Sequence, residues 1–245
     1  MTREPSASTR FRAEINRLAE EYRPTRHPFF ARLTAMPQER LTSAVLSELH
    51  LRYQAAMHAT RVMVYLLSHL DSPPLRSRKL QIYIDDDGLV GGDTHHYQFS
   101  RAFTGIGAPL CLEDKQFGEL DEFVGKLDPS TVGFVSLVSL LYRRSLGPWC
   151  VVEIVSDDWM RGLADGLTAH FPSIRAEPYF ADCFAHAVEE RHGQEAVEIT
   201  SLVLDWRPEL LGHIVEDART MARALYRLWG TLDEVLDPPG VDVAR

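Results

Sequence analysis

The sequence predicts an all-α, single-domain helical bundle, and two observations carry this prediction. Prolines and glycines divide the 245 residues into long blocks, in which apolar residues recur every three or four positions, as on one face of a helix. Only residues 80–84 and 151–155 are β-branched enough to suggest strands, and both runs lie inside otherwise helical blocks. The most sustained apolar stripe lies near the end of the chain and comprises Leu211, Ile214, Val215, Ala218, Met221, Ala222, Leu225, Trp229 and Leu232.

Each predicted element is bounded by a breaker residue. Proline stands at the start of several helices, since it fits the first helical turn but not the interior. Gly105 and Gly107 end one helix, and Gly147-Pro148 separates two others. Residues 9–236 are expected to form one domain. The predicted elements are a tail at 1–8, helices at 11–22, 28–37, 38–70, 74–87, 93–105, 113–126, 130–144, 149–168, 178–205 and 208–236, and a tail at 237–245.

The composition is that of an ordinary globular protein. Hydrophobic residues make up 45% of the chain and charged residues 25%, which supplies a sizeable core. The formal net charge of −9 argues against non-specific nucleic-acid binding. No apolar run approaches the roughly 20 residues of a membrane span, and the N-terminal segment has no apolar signal core, so we expect a cytoplasmic protein without a membrane partner. Cys111, Cys150 and Cys183 lack metal-ligand spacing and are interpreted as reduced thiols.

The stretch at residues 85–103 contains candidate metal ligands. Asp86 and Asp87 lie just before a glycine-rich turn, and two adjacent histidines follow it. His95 shares a helical face with apolar residues and is expected to point inward, although a register error of one residue would exchange it for His96. Carboxylates and imidazoles brought together across a turn suit iron or manganese. An ordinary solvated loop is the alternative interpretation of such an Asp- and Gly-rich segment.

Two further ionisable residues fall on apolar stripes, where an unpaired charge is costly. His58 has apolar residues about one turn away on both sides; the alternative interpretation is a core histidine that is hydrogen-bonded to a neighbour. Glu48 and His50 are nearby rivals of His58, although Glu48 faces Arg52 four residues later, as in a surface ion pair. Glu153 lies in the apolar run at residues 149–155. The alternative interpretation is that Glu153 forms a salt bridge with an arginine such as Arg143 or Arg144.

The last candidates, Glu189 and His192, are three residues apart and therefore share one face of a helix. That face continues with apolar residues. A Glu-x-x-His pair on a bundle helix aims two ligands at one point, as in di-iron carboxylate proteins, although so short a motif occurs often by chance. His186 and Glu190 fall on the neighbouring, more polar face, and Glu190 remains the alternative to Glu189 as a ligand.

These residues resemble the heme-oxygenase-like fold shared with TenA and the PQQ-biosynthesis oxidase, and most closely its iron-containing branch, the heme-oxygenase-like di-iron oxidases. His27-Pro28-Phe29 followed by a long helix is similar to the opening of that fold. The acidic-Gly stretch with its histidine helix, the midway Glu153 and the helix at 180–193 are similar to its metal-binding segments. The likeness covers roughly residues 27–205. It implies the metal ligands His58, Asp86, His95, Glu153, Glu189 and His192.

Two positions depart from the pattern of this family. The first histidine of the late helix falls on Ala185, which cannot bind metal, and the carboxylate of the first helix falls near His58. Under one interpretation the residues compensate, so that three imidazoles and three carboxylates hold two irons. Under the other interpretation the site holds one metal or none.

The resemblance implies a non-heme iron enzyme that activates O2 against a small organic substrate, such as an amino-acid-derived metabolite of specialised metabolism. Two Fe(II) ions are expected, with Mn as the other candidate, and Trp149, Tyr65 and Phe99 are expected to line the pocket. One alternative is a metal-free enzyme similar to TenA hydrolases or the PQQ oxidase, with Cys150 or Cys183 as nucleophile. Another is a non-catalytic helical binding protein with a degenerate site. A homodimer is compatible with the sequence.

Overall fold

The computed structural model describes residues 4–87, 94–108, 127–181 and 188–237. Within these ranges the chain is predominantly helical and has no strand, which confirms the predicted all-α bundle. No helix in these ranges combines the length and apolar character needed to cross a membrane. The α-helices are α1 (Ala7–Glu21), α2 (Pro28–Ala35), α3 (Ser43–His58), α4 (Pro73–Asp87), α5 (His95–Gly105), α6 (Pro129–Tyr142), α7 (Gly147–Thr168), α8 (Val188–Trp206) and α9 (Leu211–Val235).

The structure extends into the described parts of both predicted tails, 1–8 and 237–245. α1 begins at Ala7, because the Ser6 side chain accepts a hydrogen bond from the Thr9 N–H and caps the helix. Asp237 forms ion pairs with Arg32 and Arg40. The residues beyond Asp237 lie outside the described part.

The predicted continuous helix at 38–70 is wrong. α3 ends at His58, and Ala59–His69 forms a 3-10 helix. Residues three apart eclipse in a 3-10 helix, which places Met63 and Leu66 on one buried face. The predicted helix at 113–126 lies outside the described residues.

α7 is the central helix of the bundle. It packs against α1, α2, α6, α8 and α9, and most extensively against α8 and α9. It begins at Gly147, because Pro148 fits the first turn and glycine permits close contact with α9. A Cβ at Gly147 would lie 1.9 Å from the carbonyl oxygen of Ile214.

Two apolar clusters meet along α7. Its first turns, including Trp149 and Val151, join a cluster with residues of α1, α8 and α9. Its later turns, from Val155 onward, join a second cluster with residues of α2, α3 and α5. Glu153 lies between the two clusters and is itself buried. A carboxylate buried at this position needs a hydrogen-bond donor, a proton or a cation to offset the cost of burying its charge.

Candidate metal centre

Glu153, Glu189 and His192 come together where α7 packs against α8. Each offers one ligand atom, and these atoms lie within 4.8 Å of one another. All three side chains are buried. Tetrahedral ligands that are each about 2.1 Å from one metal ion are about 3.4 Å apart, so side-chain shifts of up to about 1.4 Å would close this set on an ion. Two carboxylates and an imidazole form a donor set that divalent transition metals accept.

A glycine next to His192 allows this approach of the two helices. A Cβ at Gly193 would lie 3.0 Å from the carbonyl oxygen of Glu153 and 3.1 Å from the Cα of Ile154. Both are backbone atoms, which cannot rotate away as a side chain can. Gly193 therefore lets the backbone of α8 lie against α7 beside Glu153, with Glu189 and His192 on the same face.

The Glu153 carboxylate is oriented by an indole. Trp149, one turn earlier on α7, donates its Nε1–H to Glu153 Oε1 at 2.6 Å. Lys79 of α4 is 1% exposed, and its Nζ lies 4.7 Å from the centre of the Trp149 ring. Such outer partners fix the orientation of a ligand and leave its second oxygen available.

The alternative arginine partners of Glu153 are engaged elsewhere. Arg143 donates to the Tyr65 hydroxyl at 2.6 Å, and Arg144 pairs with Asp217 at 2.9 Å. Neither Arg143 nor Arg144 is therefore the salt-bridge partner of Glu153.

Glu189 is held in a setting that disfavours its charge. Burial and the nearby Glu153 carboxylate raise the pKa of Glu189 to about 7, although a hydrogen bond from Ser156 lowers it in part. Glu190, the neighbouring candidate, is exposed and accepts a hydrogen bond from Gln194 at 3.2 Å. Two facing buried carboxylates need a proton or a cation between them, and of Glu189 and Glu190 it is Glu189 that is placed to share it with Glu153.

A small cavity adjoins this triad. Glu153, Glu189, His95 and His96 all line it, and the space open to the centres of water-sized molecules is about 50 Å³. That is enough for several waters or one small organic molecule, since one water needs about 10–15 Å³ on this measure. The remaining lining residues are Gln54, Met63, Phe99, Val152, Ser156, Trp159, Met160 and Tyr179.

The structure brings His95 to the cavity with Glu153, Glu189 and His192 nearby, and His96 lines the same cavity. The side chains of the other two predicted ligands, His58 and Asp86, lie outside the described residues, as does that of Asp87.

The three predicted pocket residues have different surroundings. Phe99 lines the cavity. Trp149 and Tyr65 are not among the lining residues, because Trp149 lies beneath Glu153 and Tyr65 packs against Arg143.

A second, more open cleft reaches the same carboxylates from the other side. Glu153 and Glu189 line it together with acidic residues that include Asp157, Asp158 and Glu190. The two carboxylates thus form the wall between the cavity and a solvent-facing acidic cleft. A cation can approach Glu189 through this cleft.

A buried polar network lies beside the cavity, and sequence reasoning named only His50 of it, as a rival of His58. His50 and Gln54 of α3 are buried; His50 Nε2 lies 3.0 Å from Ser100 Oγ, and Gln54 donates to the carbonyl oxygen of His96 at 2.9 Å. Burial lowers the pKa of His50 to about 4. The four-residue spacing of Leu46, His50 and Gln54 on an otherwise buried face was the available signal.

No family model matches the chain, and no curated protein matches it.

Proposed function

We propose that this protein is a non-heme iron enzyme that activates O2 against a small organic substrate held in the cavity. The observation that carries the proposal is the convergence of Glu153, Glu189 and His192, all buried, within 4.8 Å of one another. When bound, iron would supply an open coordination position at which O2 is reduced. The resemblance of the sequence to heme-oxygenase-like di-iron oxidases supports the same chemistry.

The chain's own residues would prepare this site in three ways. Trp149 holds one oxygen of Glu153, so the other is directed at the ion. Glu189, whose pKa is raised to about 7, would release its proton when a cation binds, because the cation removes the repulsion from Glu153. The apolar wall formed by Phe99, Trp159 and other residues would exclude bulk water from the substrate.

A second iron is the finer part of the proposal. His95 lines the cavity beside Glu153 and Glu189, and with His58 and Asp86 it would complete the predicted set of three imidazoles and three carboxylates. Carboxylates shared between two metals are common in helical bundles. The stoichiometry of iron binding distinguishes one ion from two.

The surroundings of Cys150 argue against its role as a nucleophile in a metal-free, TenA-like enzyme. Its thiol is buried, lies 2.9 Å from Thr200 Oγ1, and has a pKa raised by burial to about 12. A thiol in this state is a poor nucleophile. Cys183, the other proposed nucleophile, lies outside the described residues.

Anaerobic titration with Fe(II) tests the proposal. We expect the protein to retain one or two irons per chain after gel filtration and to show an optical change on exposure to O2. Glu189→Gln and His192→Ala each remove a ligand and should weaken iron binding at least about tenfold.

Glu190→Gln is the matched control, because Glu190 is adjacent in sequence but exposed to solvent. It should bind iron as the wild type does. A wild-type protein that retains no iron, or a Glu189→Gln variant that binds iron normally, would rule out the proposal and favour a buried polar network without metal.

A further inference from the structure

Lys79 is a buried lysine beside the candidate metal centre. The chain contains three lysines and twenty-three arginines, and this lysine is 1% exposed on α4. Lysine carries a compact ammonium on an apolar stem, which fits a narrow buried position better than the wide guanidinium of arginine. A buried ammonium is costly unless its surroundings stabilise the charge.

The preceding residue fixes this part of α4 against α8. Arg78 forms ion pairs with Glu195 at 2.7 Å and with Glu198 at 2.9 Å, and both carboxylates belong to α8. The same helix carries two of the three residues of the candidate metal centre. Since consecutive helical residues point in different directions, the Arg78 ion pairs at the surface leave Lys79 directed into the interior.

Inside the protein, an indole links Lys79 to the Glu153 carboxylate. Lys79 Nζ lies 4.7 Å from the centre of the Trp149 ring and 3.7 Å from Met63 Sδ. The edge of the same indole donates its Nε1–H to Glu153 Oε1 at 2.6 Å. A cation near an aromatic ring attracts its π electrons, so it makes the N–H of that ring a stronger donor. The bond to Glu153 is short, as hydrogen bonds to ionised groups are.

We infer that Lys79 is a positioning residue that acts on Glu153 through Trp149. Its ammonium strengthens the indole hydrogen bond that orients the carboxylate, and it places a fixed positive charge near the metal centre. Both effects favour Fe(II) over Fe(III), because the charge repels the more highly charged ion and the stronger hydrogen bond withdraws negative charge from the ligand. The part of this inference that concerns iron rests on the proposed function.

The metal-free protein tests the action of Lys79 on the indole. The chain has four tryptophans, so its indole N–H groups give few NMR signals, and the Trp149→Phe variant identifies that of Trp149. This signal should lie downfield of the signal of Trp206, which is 65% exposed. Lys79→Met keeps the length of the stem and removes the charge, so it should move the Trp149 signal upfield.

Arg76→Gln is the control for the loss of any positive charge from α4. Arg76 donates to two backbone carbonyl oxygens at 2.6 and 3.0 Å, and glutamine retains a donor there. This variant should leave the Trp149 signal in place. An unmoved Trp149 signal in folded Lys79→Met, or an equal shift in Arg76→Gln, would overturn the inference.

The charge of Lys79 is measured in the wild type, independently of whether Lys79→Met folds. Selective 15N labelling of lysine gives three side-chain signals, and Lys115→Arg and Lys126→Arg identify the other two. The remaining signal should have the frequency of an ammonium at neutral pH. A neutral amine at Lys79 would overturn the inference.

The iron-loaded protein tests the effect of Lys79 on the metal. Lys79→Met should increase the preference for Fe(III) over Fe(II) about tenfold, which lowers the reduction potential by about 59 mV. An unchanged potential would overturn the inference as well. A protein that takes up no iron would refute the proposed function, whereas the shift of the Trp149 signal would still support the action of Lys79 on Glu153. A protein that takes up iron with an unmoved Trp149 signal would do the reverse.

Discussion

Replacing Gly193 with alanine tests the contact on which the candidate metal centre depends. The added Cβ would lie 3.0 Å from the Glu153 carbonyl oxygen and 3.1 Å from the Ile154 Cα. Because both neighbours are backbone atoms of α7, the methyl group can be accommodated only if α8 moves outward by a few tenths of an ångström. The movement would separate His192 and Glu189 from Glu153.

The expected change in the free energy of unfolding of Gly193→Ala is the difference between two opposing effects. Alanine is favoured over glycine in a helix by about 1 kcal/mol. Overpacking at a close contact costs about 1–3 kcal/mol. The net change in the free energy of unfolding should therefore lie between about zero and a loss of about 2 kcal/mol. Iron affinity should fall by about tenfold or more, as when other supports of a metal ligand are removed.

Gly133→Ala is the control for helix propensity. Gly133 is exposed on α6, and a Cβ there would meet no atom within 4 Å. This variant should gain about 1 kcal/mol of stability and bind iron normally.

Urea denaturation followed by circular dichroism gives both stabilities, and anaerobic Fe(II) titration gives the affinities. We expect Gly193→Ala to be less stable than Gly133→Ala by about 1–3 kcal/mol. If the two variants gain stability equally and bind iron alike, α7 and α8 do not meet closely at this point and the proposed geometry is incorrect.

Three further predictions concern the buried polar groups. Trp149→Phe deprives Glu153 of its 2.6 Å hydrogen bond and should lower the free energy of unfolding, measured by urea denaturation, by about 1–3 kcal/mol. An unchanged midpoint would contradict the role of the indole. The pKa of His50 is lowered to about 4, so the folded state favours the neutral imidazole. The free energy of unfolding should therefore fall by about 3 kcal/mol as the pH falls from 6.5 to 4. His50→Leu should reduce that acid-induced loss, and an identical pH profile in the variant would refute the assignment. Because the pKa of Glu189 is raised to about 7, the free energy of unfolding of the metal-free wild type should fall by about 3 kcal/mol as the pH rises from 4.5 to 7. The Glu189→Gln variant should not show this loss. Parallel stability curves for the two proteins would show that Glu189 is not held in a low-dielectric setting.

The helices were predictable because the information that specifies them is local. Apolar residues at helical spacing and proline at the first turn act within a few residues of their own position. The sequence accordingly predicted the all-α fold and the apolar stripe that begins at Leu211. It missed the change at His58, because α- and 3-10 helices both present residues three apart on nearly one face, and packing selects between them. It also missed the cap at Ser6, where one side chain extends the helix into the predicted tail.

The candidates for the site were predictable as single residues. Glu153 is a carboxylate within an apolar run, and Glu189 and His192 share a face because they are three apart. The same reasoning left Glu189 and Glu190 as alternatives, and the structure separates them by burial. Lys79 carried a comparable signal, since it lies four residues after Leu75 on a stripe that is otherwise apolar.

Only the tertiary structure decided which of these residues meet. Helical periodicity places a residue on a face, but the crossing of two helices determines what that face contacts. Glu153 and Glu189 come together because Gly193 allows the backbones of α7 and α8 to touch. Arg144 instead reaches Asp217, and the amide of Gln54 is anchored to α5 with its oxygen left without a donor from the described chain. These pairings depend on long-range packing at single residues, whereas the fold class depends on patterns repeated along the whole chain.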